Sequence, residues 1–151
     1  MPTFIPNEPQ NGETAYSVGE CYRTQSFDGG ETSGELAKTA MQWFERGWQL
    51  NRYQAFNYLR YGMCLDWLER HDEAAPFFNR AEACDPNNYF IAANTGWHYV
   101  QSGNYAAARP WLQRSLQLQW QDNQIAKSYL ELARQKLSDQ GSGRIRLLPG
   151  H

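Results

Sequence analysis

Apolar residues recur at helical spacing through the second half of the chain, and turn residues break the pattern at intervals. The segments AAPFFNRAEAC and AARPWLQRSLQL each carry apolar positions three and four residues apart, the signature of a helix with one buried stripe. Turn signals precede them at Arg70-His71-Asp72 and Ser102-Gly103-Asn104. Pro76 and Pro110 are expected near the start of these helices, where a missing N–H is tolerated best. Asp85-Pro86-Asn87-Asn88 reads as a helix stop. Residues 123–138 (NQIAKSYLELARQKLS) predict one more amphipathic helix with a charged outer stripe. Residues 1–11, with three prolines, predict an extended segment, and the Gly-rich residues 139–151 a flexible tail.

The pattern repeats. Shifting the chain by 34 residues aligns Phe56 with Phe90, Gly62 with Gly96, Ala74 with Ala108, Pro76 with Pro110 and Arg80 with Arg114. Similar pairs surround them, including Leu65 with Tyr99, Phe77 with Trp111 and Phe78 with Leu112. One step back, Ala40, Trp43, Phe44, Arg46 and Gly47 fall beneath Ala74, Phe77, Phe78, Arg80 and Ala81. Gly inside a helix costs about 1 kcal/mol relative to Ala, so two at one phase point to a packing requirement. Gly62 and Gly96 in first helices, with Ala74 and Ala108 in second helices, would let the two members of a pair approach closely. The first repeat departs from this spacing: Gly19 and Tyr22 fit its first helix, but Ser26 to Gly34 reads as a Gly-rich insertion. That insertion holds neither GKS/T nor GxGxxG, so it reads as a connection rather than a phosphate cradle.

This 34-residue pattern resembles the tetratricopeptide repeat. The resemblance implies an all-α, right-handed superhelical solenoid of antiparallel helix pairs over residues 12–138. Its units would be 12–54, 55–88 and 89–122, closed by a capping helix at 123–138 with a polar outer face. It further implies that ligands meet the second, fifth, ninth, twelfth and thirteenth positions of each unit, on the concave face. In the middle unit these are Phe56, Leu59, Met63, Asp66 and Trp67; in the third, Phe90, Ala93, Trp97, Val100 and Gln101. The first unit offers Tyr16, Glu20 and Arg23. An apolar patch of this kind marks a partner, and Trp and Tyr are favoured anchors, although aromatics at helical spacing also build cores. Members of the family that clamp a C-terminal carboxylate carry basic and Asn residues at the fifth and ninth positions. Here those positions hold Tyr16, Glu20, Leu59, Met63, Ala93 and Trp97, which suit an apolar or amphipathic segment, or another copy of the chain.

Composition narrows the function classes. The chain of 151 residues is 41% hydrophobic and 15% aromatic, enough to fold around a core. A net charge of -2 gives no pull toward nucleic acid or anionic membranes. Arg46, Arg80 and Arg114 recur at the repeat period and read as solvated charge on the convex side, their stems covering apolar surface. No run approaches the ~20 apolar residues of a membrane span, and the N-terminus lacks the pattern of a signal peptide. Cys21, Cys64 and Cys84 form no CxxC pair and read as small buried residues in a reducing compartment, which points to the cytoplasm. His71, beside Asp72 and Glu73, reads as part of a solvated turn, and His98 as a buried or groove residue. Neither belongs to a catalytic or metal constellation, so no enzyme activity, cofactor or metal is expected.

The run GWHYVQSGNYAAARPWLQRSLQLQWQDNQIAKSYLELA, preceded by LRYGMCLDWLER, is similar to soluble repeat tails of bacterial O-antigen ligase/polymerase-like membrane proteins. That resemblance implies tethering to such a protein and a partner in cell-surface polysaccharide assembly. The expectation is a protein-binding scaffold without membrane insertion, with self-association as the alternative.

Overall fold

A computed structural model describes residues 11–146, and the described residues are helical throughout with short connections. Seven α-helices follow in order among them: α1 (Gly12–Ser26), α2 (Ser33–Leu50), α3 (Ala55–Trp67), α4 (His71–Cys84), α5 (Tyr89–Gln101), α6 (Tyr105–Leu118) and α7 (Gln124–Arg146). The expectation for residues 1–10 lies outside the described residues. The chain divides into two compact units, residues 1–86 and 87–151.

Within the first unit, α1 pairs with α2 and α3 with α4. Both pairs close on a glycine. A Cβ on Gly19 would stand 2.6 Å from Phe44 Cε1, and one on Gly62 2.8 Å from Phe78 Cε2. Phe44, Phe78, Leu59 and Leu65 form the buried interior with Ala15, Ala40, Ala74 and Ala81. An aromatic layer joins α2, α3 and α4: Trp48 stacks on Tyr58 at 5.1 Å, and Tyr61 meets Phe77 at 4.4 Å. The expected insertion is largely helix, because α1 runs to Ser26, a 3-10 turn spans Gly30–Thr32, and α2 begins at Ser33. Ser33 Oγ donates to the Ser26 carbonyl at 2.6 Å, which ties the end of α1 to the start of α2.

The second unit repeats the arrangement, with Gly96 against Leu112 between α5 and α6. Val100, Ala108, Leu112 and Leu130 form its core, with Tyr99, Leu116 and Leu132 packed around them. Asn88 caps α5 by accepting from the Phe90 and Ile91 amides, and Asn104 caps α6 through the Ala107 amide. Buried Asn123 opens α7: its Nδ2 donates to Ser115 Oγ at 2.9 Å and to the Gln119 carbonyl at 2.8 Å.

The turns obey the period as strictly as the glycines. Leu68-Glu69-Arg70 ends α3 with the Arg70 amide donating to the Leu65 carbonyl at 2.8 Å and Glu69 at φ 60°. One period later the Asn104 amide donates to the Tyr99 carbonyl at 2.8 Å, with Gly103 at φ 77°. Both are Schellman caps, and Glu69 takes the left-handed position that glycine normally fills. The first turn therefore lies at Leu68–Arg70, with His71 already helical, rather than at Arg70–Asp72. Pro76 and Pro110 each stand sixth in their helices, in the second turn rather than at the very start. At the next period, Leu137, the chain does not turn: α7 continues to Arg146, so residues 139–146 are helix where a tail was expected.

Candidate partner-binding surface

The first helices of the repeats carry the expected binding positions, and burial sorts them. In α3, Leu59 is fully buried, and Val100 in α5 belongs to the core of the second unit. Ala93 is likewise buried. These three are core residues. A 13-residue helix such as α5, with eight buried positions, has little face left for a ligand. Asp66 is also withdrawn: its carboxylate lies inside and accepts from His71 Nδ1 at 2.7 Å. His71 is thus a structural partner of Asp66 and not part of a solvated loop. Phe56, Met63, Phe90 and Trp97 are half-buried, while Gln101 and Trp67 are exposed.

The first unit brings the accessible positions of α1 and α3 together. Tyr16 meets the Phe44 ring at 5.8 Å and the Phe56 ring at 6.3 Å, bridging the two helices. Glu20 accepts from Arg23 Nε at 2.6 Å and Nη2 at 3.0 Å, and lies 3.3 Å from Arg60 Nε. Arg60 also approaches Tyr16 Oη at 3.4 Å and Met63 Sδ at 3.4 Å. One carboxylate therefore holds two guanidinium groups on this face. Burial opposes the charge on Arg23, yet its hydrogen bond to Glu20 and the attraction of nearby negative groups, Glu20 foremost, together outweigh it and raise its pKa above the ordinary value. Below them Cys64 is buried, and burial pushes its thiol up to about 12, so it stays a neutral thiol at physiological pH.

At the far end of the face stands an exposed aromatic pair. The Phe27 and Trp67 rings meet edge-on at 5.2 Å, and they are 50% and 46% exposed. Trp67 Nε1 donates to Ser33 Oγ at 3.0 Å, and Arg23 sits 5.4 Å over the Phe27 ring. The indole N–H is thus satisfied while both rings stay about half open to water, the usual state of an aromatic anchor. Sequence reasoning missed Phe27, which falls in the expected insertion, and Arg60. The signal for Arg60 was a cation inside the otherwise apolar run AFNYLRYGMC.

Arg80 is exposed and sits 5.4 Å over Tyr58, whereas Arg46 and Arg114 are half-buried rather than solvated. Cys21 is exposed and Cys84 half-buried, so only Cys64 is the small core residue expected of all three. Among the described residues no helix is long and apolar enough to cross a membrane, and no cluster could hold a metal ion.

No family model matches the sequence, and no curated protein matches it. Solved structures do. The first TPR domain of human RPAP3 superposes with a TM-score of 0.75 at 16% identity, over 89% of this chain and 98% of that one. The Yersinia enterocolitica type III secretion chaperone SycD, in complex with a peptide of the translocator YopD, gives 0.65 at 17% identity, over 87% and 98%. YrrB, a TPR protein with an unusual peptide-binding site, gives 0.64 at 24% identity over 78% of this chain, which spans 56% of YrrB. These likenesses show the fold, an all-α helical-repeat solenoid of the tetratricopeptide type.

Proposed function

We propose that this protein is a non-enzymatic scaffold that binds a peptide or protein segment on the α1–α3 face of its first unit. The observation that carries the reading is the exposed Phe27–Trp67 pair beside the Glu20–Arg23–Arg60 network. Two large rings half open to water, held by hydrogen-bonded and charged neighbours, form a pre-ordered anchor that loses little side-chain entropy on binding. Tyr16, Phe56 and Met63 extend the apolar surface along the same face. Two of the solved neighbours, SycD in complex with a translocator peptide and YrrB with its peptide-binding site, support a peptide as the kind of ligand. In the second unit the accessible positions Phe90, Trp97 and Gln101 add a further contact surface on α5.

The test is selection of a random peptide library against the wild type and against Phe27→Ser/Trp67→Ala, with helicity of both checked by circular dichroism. Peptides enriched by the wild type should lose at least tenfold in affinity for the folded variant. Equal affinity for both proteins would remove this face from the reading.

A further inference from the structure

The second unit carries an open groove of about 600 Å3 between α6 and α7. Leu116 and, just past α6, Trp120 form one side; Lys127, Leu130, Glu131 and Arg134 of α7 form the other. Trp120 is 64% exposed, and Lys127 Nζ lies 4.6 Å over its ring.

The repeat register says what this groove is. Two periods of 34 earlier, Leu116 and Leu130 correspond to Trp48 and Gly62. In the first unit those two positions seat α4: Phe77 stacks on Trp48 at 5.8 Å, and Phe77 and Phe78 lie over Gly62. The groove is therefore the place of a second helix in a fourth repeat. It stands open because α7 runs through Leu137, where α3 and α5 turn back at Glu69 and Gly103. In the first unit the helix in this place, α4, lies antiparallel to α3 across its three-residue turn.

We propose that the occupant is α7 of a second copy, so that two chains pair about a twofold axis through this groove. Two copies of one helix related by a twofold axis perpendicular to it run antiparallel, the direction in which α4 lies against α3 in the first unit. The charges fit the same operation. Lys127 and Glu131 stand one helical turn apart on the groove side of α7, so a twofold axis crossing α7 at the level of residue 129 sets Lys127 against the other copy's Glu131, and Glu131 against its Lys127. The symmetry makes both ion pairs from one sequence element. Leu130, a core residue of the second unit, forms the groove floor between them, at the position where Gly62 lies under Phe77 and Phe78 in the first unit, and Leu116 and Trp120 flank the arriving helix. Such a contact uses the same patch on both chains and stops at a dimer. It is independent of the α1–α3 face.

Sedimentation velocity of the full chain between about 1 and 100 μM tests this. The wild type should shift from monomer to dimer across that range. Lys127→Glu should weaken the dimer at least tenfold by setting carboxylates against each other twice, and Trp120→Ala should weaken it similarly. Lys127→Glu/Glu131→Lys should restore it. Thermal melts establish that each variant is folded. A wild type that stays monomeric overturns the proposal, whatever else covers Trp120. So does a dimer that Lys127→Glu leaves intact or that the charge swap fails to restore.

Discussion

Gly62 lies so close beneath Phe78 that a Cβ on it would stand 2.8 Å from Cε2 and 3.0 Å from Cδ2 of the ring. Alanine there would gain about 1 kcal/mol of helix propensity but overpack a filled interior, at a typical cost of about 1–3 kcal/mol. Phe78 is fully buried and has no room to yield, so the overpacking dominates. Gly62→Ala should lower stability to urea. Gly141, with nothing within 4 Å of its missing Cβ, should respond oppositely, gaining about 0.5–1 kcal/mol as Gly141→Ala. Two glycines in helices moving in the same direction would refute this packing account.

The Asp66 carboxylate gives a second prediction. It is wholly buried, 2.7 Å from His71 Nδ1 across the turn that joins α3 to α4. His71→Ala removes a partner of a buried acid and should cost about 1–3 kcal/mol, measured by urea denaturation. His71 is 27% exposed, so the loss should exceed what its own apolar burial explains. A loss under about 0.5 kcal/mol would return His71 to the solvated turn that the sequence suggested.

Cys64 couples stability to alkaline pH. Burial raises its thiol from 9.0 to about 12, so the folded state holds the proton more tightly than the unfolded chain does. Its contribution is complete below pH 9, and falls away as pH rises from there toward 12. By pH 10.5 the loss amounts to about 2 kcal/mol, at 1.36 kcal/mol per pH unit. Melting wild type and Cys64→Ala at pH 8 and pH 10.5 should show the larger drop in the wild type. Parallel drops would mean that other groups carry the alkaline transition. Exposed Cys21 should meanwhile alkylate at pH 8 while Cys64 remains protected.

The features legible in the sequence are those the backbone imposes at every period. Gly62 and Gly96 predicted close helix pairing because few other causes place glycine at one phase of two helices. The binding face was less legible. Leu59, Val100 and Ala93 fell on the implied ligand positions but are core, because α3 and α5 are buried over most of their circumference. Apolar periodicity cannot separate a face turned to a partner from one turned to a neighbouring helix. Glu69 hid the first turn, since its φ of 60° occupies a glycine position without glycine. The glycines near the C-terminus misled in the other direction: Gly141 weakens a helix by about 1 kcal/mol, yet α7 runs on through it.

Glu20 and Arg60 supply the last test, because they lie on separate helices and neither is solvated. Their side chains are 22% and 15% exposed, with 3.3 Å between Glu20 Oε1 and Arg60 Nε. Exposure this low weakens screening, so the attraction should survive salt that erases surface pairs. Lys38–Glu35 provides the contrast, at 3.5 Å with both side chains more than half exposed. A double-mutant cycle with Glu20→Gln and Arg60→Met should yield a coupling of about 1–2 kcal/mol that persists in 0.5 M NaCl. The same cycle on Glu35 and Lys38 should give under about 0.5 kcal/mol at low salt and nothing at high salt. If the Glu20–Arg60 coupling vanishes with salt as well, the network is loose surface charge, and it cannot hold the Phe27–Trp67 end of the face in a fixed arrangement.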